Sequence, residues 1–197
     1  MPADKIRFGI IGTGSRGIGS YGRVIGEVYG GEAKIVAVSD SDPVRLSVGA
    51  QHLEVEHADT NPGIVLDNPD VDAVIITTPD ATHADFACAA LGADKHVLCE
   101  KPIAMNDSQA EEMAAACREN QVQLMDSTMW VHSPRATDMK RALESGQLGE
   151  LSRVTSAFTI MLDPIEDELR YDRKRGGGSL MDLGWYNIRA TLWAFGS

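Results

Sequence analysis

The stretch of sequence that decides the fold is Ile6-Arg7-Phe8-Gly9-Ile10-Ile11-Gly12-Thr13-Gly14-Ser15-Arg16-Gly17. Residues 6–11 are typical of a short buried strand, and the glycines that follow have the GxGxxG spacing of a strand-to-helix turn that binds a dinucleotide. In such a turn the first glycine allows the tight bend, the second admits a pyrophosphate, and the third lets the helix pack on the strand. We therefore expect Gly12, Thr13, Gly14, Arg16 and Gly17 to bind a cofactor. A glycine-rich turn that holds no ligand is the alternative.

A second predicted strand, residues 34–39, ends at Asp40. An acidic residue at this distance from the glycine turn is typical of the group that accepts hydrogen bonds from the ribose hydroxyls of NAD. The same carboxylate would repel the 2′-phosphate of NADP, and Arg45 is the nearby residue able to offset that repulsion. The sequence therefore predicts NAD as the cofactor, with NADP less favoured.

A charged pair closes a later apolar segment, His96-Val97-Leu98-Cys99-Glu100-Lys101-Pro102. Pro102 has no N–H and a fixed φ, so it is expected to end the strand. Open α/β sheets hold their ligands at the carboxyl ends of the strands, where Lys101 could reach a bound substrate. A solvated lysine at a strand end is the alternative. Cys99 is expected to be a small buried residue rather than a nucleophile.

Strand and helix patterns alternate through about the first 130 residues. Residues 71–78 form a continuous apolar run, which is typical of a strand inside a parallel sheet. Ser108 and Glu111 predict a capping box for a helix that lasts to about Glu119. The other predicted elements are helices at Pro43–Leu53 and residues 81–93, and strands at residues 96–100 and 122–130. This alternation predicts an α/β fold with a doubly wound parallel sheet, in a dinucleotide-binding domain of residues 1–124.

The pattern changes near Trp130, and a second domain is expected at residues 125–197. Residues 151–162 alternate apolar and polar side chains as a half-buried antiparallel strand does. Gly176-Gly177-Gly178 then leads into a predicted helix on which Asp182 and Tyr186, at positions i and i+4, project from one face. As alternatives, Asp182 only caps this helix together with Ser179, and Tyr186 is a core aromatic residue.

Composition limits the possible partners of this chain. Its 197 residues carry a net charge of −11, which argues against nucleic acid because phosphate contacts need clustered Lys and Arg. We find no apolar run of membrane-spanning length and no signal-peptide core, so a cytoplasmic protein is expected. The cysteines are few and far apart, at Cys88, Cys99 and Cys117, so neither a disulfide framework nor a metal site is predicted.

Several motifs together resemble the glucose-fructose oxidoreductase, inositol dehydrogenase and rhizopine-catabolism family, over essentially the whole chain. They are Gly12-Thr13-Gly14, Asp72-Ala73-Val74-Ile75-Ile76-Thr77-Thr78-Pro79 with His83, Lys95-His96-Val97-Leu98-Cys99-Glu100-Lys101-Pro102, and Gly176-Gly177-Gly178-Ser179-Leu180-Met181-Asp182-Leu183-Gly184. The resemblance implies a Rossmann domain followed by an α+β domain with an open antiparallel sheet. It also implies NAD(P)-linked oxidoreduction of a sugar, a cyclitol or a related diol.

The resemblance also implies roles for individual residues. Lys101 matches the catalytic lysine of the family, and Asp182 matches a carboxylate on the helix of the second domain. Tyr186 stands where many members have histidine, which resembles the dihydrodiol dehydrogenase and glucose-fructose oxidoreductase branch, where a tyrosine transfers the proton. An ammonium group near that tyrosine would favour the phenolate and stabilise a developing alkoxide. The cofactor-binding residues implied in addition are Thr78, Pro79, His83, Glu100 and Lys101, although His83 could instead serve as packing or as a cap.

Members of the family usually continue well past residue 197, so the resemblance implies that the antiparallel sheet is incomplete here. We expect the apolar residues Val154, Phe158 and Ile160 to be poorly covered, and the region after Trp130 to self-associate or to be mobile. The 197-residue chain is expected to bind NAD through residues 1–124 but to lack efficient dehydrogenase activity. In the complete protein the sheet is expected to form a homo-oligomer. Two other functions stay open: an NAD-using glycosidase of the same fold, and a non-catalytic NAD-binding regulator.

Overall fold

The computed structural model describes residues 5–162 and 168–196. Within it the chain divides into two compact units, and the boundary lies between Asp126 and Ser127. No helix of the described residues is long and apolar enough to cross a membrane.

A six-stranded parallel sheet forms the first unit, in the order β3-β2-β1-β4-β5-β6. Its strands are β1 (Ile6–Ile11), β2 (Ala33–Ser39), β3 (His57–Asp59), β4 (Ala73–Ile76), β5 (His96–Cys99) and β6 (Leu124–Asp126). The chain turns to opposite sides of β1 to form β2 and β4, so their carboxyl ends flank the crevice in which doubly wound sheets bind ligands. The predicted α/β fold with a doubly wound parallel sheet is confirmed.

The helices of the first unit are α1 (Arg23–Glu27), α2 (Pro43–Leu53), α3 (Gly63–Leu66), α4 (His83–Gly92) and α5 (Asp107–Glu119). The predicted bounds of α2 are confirmed, because Pro43 fixes its first turn and the Asp42 side chain accepts hydrogen bonds from two N–H groups of that turn. The capping box predicted at Ser108 is wrong. The Asn106 side chain caps α5 by accepting a hydrogen bond from the N–H of Gln109.

Two predicted strands are too long. The apolar run at residues 71–78 contributes only Ala73–Ile76 to the sheet, and all residues of this strand are buried. The prediction for residues 122–130 narrows to Leu124–Asp126, since β6 pairs with β5 and that ladder stops at Cys99. Trp130 lies instead in a 3₁₀ turn, Met129–His132. Apolar side chains continue past the end of a strand wherever the following loop is also buried, which lengthens a prediction based on hydropathy.

The second unit is helical wherever it has regular structure among the described residues. It contains α6 (Pro134–Glu144), short 3₁₀ turns at Leu169–Tyr171 and Arg173–Arg175, a π-helical turn (Leu180–Gly184) and α7 (Trp185–Phe195). The strand predicted at residues 151–162 is wrong: this segment has no regular structure, and the described part of the unit offers no second strand to pair with it. Phe158 and Ile160 are each 43% exposed.

Aromatic contacts join the helices of the second unit. Trp130 and Trp193 meet edge to face with ring centroids 5.2 Å apart. The Lys140 ammonium lies 5.4 Å from the centre of the Trp193 ring and donates a 2.9 Å hydrogen bond to the carbonyl of the same residue. Lys140 therefore ties α6 to the carboxyl end of α7, where a positive charge is favourable.

Candidate functional site

Gly12 forms the tight bend after β1, at the crevice between β1 and β4. Its φ is +100°, and a Cβ atom there would lie 2.8 Å from the carbonyl carbon of Thr77. The Thr77 hydroxyl donates a 2.6 Å hydrogen bond to the Gly12 carbonyl. The bend therefore excludes every residue except glycine and closes directly onto the end of β4.

The other two glycines of the motif differ in what surrounds them. A Cβ at Gly17 would lie 2.1 Å from the Gly12 carbonyl oxygen, so helix packing on the turn requires glycine there. At Gly14 the φ is −70°, and apart from its chain neighbours no described atom lies within 4 Å of an ideal Cβ position. The protein's own packing thus explains Gly12 and Gly17, whereas Gly14 leaves open space beside the turn, as close approach of a ligand would require.

Asp40 follows β2 and holds the glycine turn in place. One of its carboxylate oxygens accepts hydrogen bonds from the N–H and the hydroxyl of Thr13, at 2.8 and 3.1 Å. The other accepts the N–H of Asp42 at 2.9 Å and lies 3.4 Å from the Arg45 guanidinium. Asp40 is buried, and Arg45 offsets its charge, so the repulsion expected toward a 2′-phosphate is weakened.

His83 begins α4 and joins the loops that follow β4 and β5. Its side chain is fully buried, and its ring nitrogens lie 2.9 Å from the Thr78 carbonyl and 2.8 Å from the Pro102 carbonyl. Both neighbours are carbonyl oxygens, so the ring N–H donates to one of them, and the tautomer decides which. His83 thus contacts the backbone of both loops, at Thr78 and at Pro102.

Glu100 and Lys101 follow β5, as predicted. The Glu100 carboxylate is buried; it accepts a 3.0 Å hydrogen bond from the Tyr21 hydroxyl, and the Arg16 Nε lies 3.3 Å from the same oxygen. Its second oxygen accepts the N–H of Lys101 at 3.1 Å. Lys101 is half-buried, and the Lys101-Pro102 peptide bond is cis. Tyr21 is not among the site residues predicted from the sequence, because a tyrosine at an apolar helix position carries no signal of a distant carboxylate.

Asp182 and Tyr186 belong to the second unit. Asp182 lies in the π-helical turn, and Tyr186 lies in the first turn of α7 with its ring edge to face with Phe158, 5.3 Å between centroids. Ser179 makes no capping hydrogen bond through its side chain, so the predicted alternative of a Ser179–Asp182 capping pair is not observed. The pKa of Arg170 is raised by its hydrogen bond to Glu168, with a smaller contribution from the charge of Asp182.

The potential metal ligands and the Cys99 thiol of the described residues were the remaining candidates for a chemical role. Among residues 5–162 and 168–196 no group of His, Cys, Asp and Glu side chains could hold a metal ion. Burial raises the pKa of the Cys99 thiol far above its usual range, which leaves no thiolate to act as a nucleophile.

All of the expected cofactor-binding residues lie in the first unit, after the carboxyl ends of strands or at the start of helical segments. They are Gly12, Thr13, Gly14, Arg16, Gly17, Asp40, Thr78, Pro79, His83, Glu100 and Lys101. Of the expected catalytic residues, Lys101 is in this unit, and Asp182 and Tyr186 are in the other.

Comparison with known proteins gives relatives along both units. A 3-reductase of Streptomyces antibioticus, which acts on dTDP-3,4-didehydro-2,6-dideoxy-alpha-D-glucose, is 33% identical over 98% of this chain and 57% of its own. The D-xylose 1-dehydrogenase (NADP(+)) 2 of Haloferax volcanii is 34% identical over 93% of this chain and 55% of its own. The chain thus spans about half the length of the curated relatives it matches.

Solved structures have the same fold. KijD10, a 3-ketoreductase from Actinomadura kijaniata in complex with NADP and TDP-benzene, has a TM-score of 0.86 and 31% identity over 98% of this chain and 58% of its own. The WlbA dehydrogenase from Bordetella pertussis, in complex with NADH and UDP-GlcNAcA, has a TM-score of 0.69 and 26% identity over 76% of this chain and 42% of its own. Because similar proteins bind NADP as well as NADH, the expectation that NADP is the less favoured cofactor is wrong.

Family models match both parts of the chain. Residues 6–127 match the model described as an oxidoreductase family with an NAD-binding Rossmann fold, and residues 136–197 match a GFO/IDH/MocA C-terminal domain. The first match alone covers more than half of the sequence and includes every element of the parallel sheet. The chain therefore belongs to the GFO/IDH/MocA family of oxidoreductases, as its motifs predicted.

Proposed function

We propose that this protein is a nicotinamide-dependent oxidoreductase that interconverts a hydroxyl and a keto group on a sugar. The observation that carries the proposal is Gly14, whose side-chain position is empty although the bend at Gly12 and the packing at Gly17 are closed by the protein itself. An open glycine between two constrained ones, at the carboxyl end of a doubly wound sheet, is the arrangement that admits a pyrophosphate.

The residues of the first unit fit a dinucleotide. The N–H groups of Gly12 and Thr13 already donate to Ser39 and Asp40, so the backbone N–H groups of residues 14–17 would hold the pyrophosphate. Asp40 and Arg45 would border the adenosine ribose. Because the Asp40 carboxylate is offset by Arg45, we propose that both NAD and NADP are accepted. When bound, the nicotinamide ring supplies the hydride acceptor or donor.

Lys101, Tyr186 and Asp182 are the proposed catalytic residues. The Lys101 ammonium would donate a hydrogen bond to the substrate oxygen and stabilise the charge that develops when the hydride moves. The Tyr186 hydroxyl would exchange the proton with that oxygen, and the Asp182 carboxylate would orient the substrate. The reaction then needs no metal ion, since hydride and proton each have a partner.

The proposed substrates are sugars, cyclitols or diols, with nucleotide-linked sugars as the first class to test. The support is the activities and ligands of the relatives, which include dTDP-sugar reductases and proteins crystallised with TDP-benzene or UDP-GlcNAcA. We also propose a homo-oligomer formed through the second unit, whose segment with Phe158 and Ile160 leaves apolar side chains exposed.

An activity screen tests this function. The protein is incubated with NAD, NADP or their reduced forms and with D-xylose, inositol, and dTDP- and UDP-hexoses or their keto forms, while nicotinamide absorbance is followed. We expect the 197-residue chain to turn over at least one sugar slowly, and Lys101→Met to lose about a hundredfold or more of that activity at nearly unchanged cofactor affinity. Lys34→Met, at an exposed lysine of β2, is the matched control.

The outcomes separate the competing functions. Turnover that is equal in Lys101→Met and in Lys34→Met would contradict the catalytic assignment. Sugar release from a glycoside without a net change in nicotinamide absorbance would identify a glycosidase. Cofactor binding without any conversion of sugar or glycoside would identify a regulator.

A further inference from the structure

The Glu100 carboxylate connects the segment that follows the glycine turn with the residue proposed as the catalytic lysine. Arg16 and Tyr21 both lie in the π-helical segment Ser15–Gly22, directly after Gly14. Their side chains converge on one oxygen of Glu100, the Tyr21 hydroxyl at 3.0 Å and the Arg16 guanidinium at 3.3 Å. The other oxygen accepts the N–H of Lys101. One buried carboxylate thus joins residues that are far apart in the sequence.

Glu100 is buried, so its carboxylate depends on hydrogen bonds from the protein. The Glu100 side chain is 9% exposed, so its charge is stabilised by these donors rather than by water. The Tyr21 ring lines an apolar cavity of about 300 Å³ between α1 and the sheet, together with Phe8, Ile25 and Leu98. A tyrosine in such a place needs a partner for its hydroxyl, and Glu100 provides it. The Tyr21 ring therefore packs against apolar residues, while its hydroxyl binds Glu100 in the loop that follows β5.

The backbone on both sides of Lys101 is fixed as a result. Glu100 holds the N–H of Lys101, and the His83 ring lies 2.8 Å from the carbonyl of Pro102, the residue that follows. Small displacements of a reacting group lower rates strongly, so a catalytic lysine benefits from a backbone fixed to the element that binds the cofactor.

We propose that Tyr21 and Arg16 are positioning residues that act through Glu100 and hold Lys101 in register with the glycine turn. Neither side chain touches the reacting atoms in this role. The inference rests on the proposed function for the importance of Lys101. It states that the backbone of Lys101 is held less firmly when either the Tyr21 hydroxyl or the Arg16 guanidinium is lost.

Chemical labelling of lysines follows this change through the exposure of the Lys101 side-chain amine in the cofactor-free protein, since a backbone that is no longer held lets the side chain move. An N-hydroxysuccinimide ester of acetic acid is added, and the acetylation rate of Lys101 is measured by peptide mass spectrometry relative to that of exposed Lys34. We expect this ratio to rise about fivefold in Tyr21→Phe and in Arg16→Met, the change that one hydrogen bond is worth. Arg16→Lys should restore part of the effect because it keeps the positive charge.

The controls are a tyrosine and an arginine that do not contact Glu100 in the described structure. Tyr29 lines the same cavity and is 49% exposed, and Arg23 lies on α1 with its guanidinium 3.9 Å from Glu27. We expect Tyr29→Phe and Arg23→Met to leave the Lys101 ratio unchanged, and thermal unfolding verifies that each variant is folded. A Lys101 ratio in Tyr21→Phe equal to that of the parent, or equal to that of Tyr29→Phe, would overturn the inference.

NADH and NADPH titrations of the parent protein are made in parallel. Absence of binding would contradict the proposed function, whereas the labelling ratios would still decide whether Tyr21 and Arg16 position Lys101. The two failures are therefore distinguishable.

Discussion

The two units respond differently to similar sequence patterns. In the first unit, each predicted strand finds a parallel neighbour and forms a ladder, even where the strand is as short as Leu124–Asp126. In the second unit, residues 151–162 alternate as regularly as a strand should, yet no strand forms in the described residues. Alternating apolar and polar residues indicate which side of a strand would be buried. Whether the strand forms depends on a neighbouring strand with which its backbone can hydrogen-bond.

The units also differ in how their functional residues are held. Asp40, His83 and Glu100 in the first unit are buried, and the side chain of each contacts at least one backbone N–H or carbonyl group. Asp182 and Tyr186 in the second unit are half-buried. The residues of the first unit that are proposed to bind the cofactor are thus held by interior hydrogen bonds, which keep their geometry better than contacts near the surface.

Hydrogen exchange should give the largest contrast between the units. The amides of β4 lie in the middle of the sheet and are expected to exchange at least about a thousandfold more slowly than those of residues 151–162, since central strands open only on global unfolding. Amide exchange followed by mass spectrometry at two protein concentrations measures both segments. If residues 151–162 were as protected as β4 at both concentrations, the absence of a strand in that segment would be contradicted. If residues 151–162 were protected only at the higher concentration, the proposed oligomer contact would lie there.

Replacing Asp40 tests whether its hydrogen bonds to Thr13 hold the glycine turn. Asp40→Ala removes the partner of the Thr13 N–H and hydroxyl, at a cost of about 1–3 kcal/mol for the unpaired buried donor. We expect both NADH and NADPH to bind about tenfold more weakly, because the turn itself is loosened. Calorimetric titration with both nucleotides measures the change.

Asp59→Ala is the matched control for Asp40→Ala. Asp59 ends β3 and accepts the N–H of the residue two positions later, as Asp40 does, but it is exposed and does not contact the glycine turn in the described structure. Loss of NADH affinity alone in Asp40→Ala would instead mean that Asp40 acts on the ribose and not on the turn.

Arg45 provides a smaller effect that separates the two cofactors. Its guanidinium is half-exposed beside Asp40, where it can meet a 2′-phosphate. We expect Arg45→Leu to weaken NADPH about tenfold and NADH less than about twofold, as loss of one charge-assisted contact predicts. Arg23→Leu, on α1, serves as the control. Equal losses for both nucleotides in Arg45→Leu would show that this residue does not select between them.

The features that could be predicted from the sequence are those determined by neighbouring residues. The bounds of α2 follow from Asp42 and Pro43, and the conformation of Gly12 follows from the bend that β1 must make before a helix. The cap of α5 was misplaced because Asn106 and Ser108 are both good capping residues, and only the helix register distinguishes them. The contact of Tyr21 with Glu100 joins residues distant in sequence, so only the folded sheet brings it about.

One measurement tests the central claim, that the open face of Gly14 admits a nicotinamide dinucleotide. NADH and NADPH are titrated into the parent protein, Gly14→Ala and Gly19→Ala, with nicotinamide fluorescence as the signal. At both glycines an added Cβ meets no described atom within 4 Å, so neither variant should lose thermal stability. We expect Gly19→Ala to bind like the parent and Gly14→Ala to bind about tenfold more weakly or worse. Equal affinity in the two variants, or a parent that binds neither nucleotide, would contradict the claim.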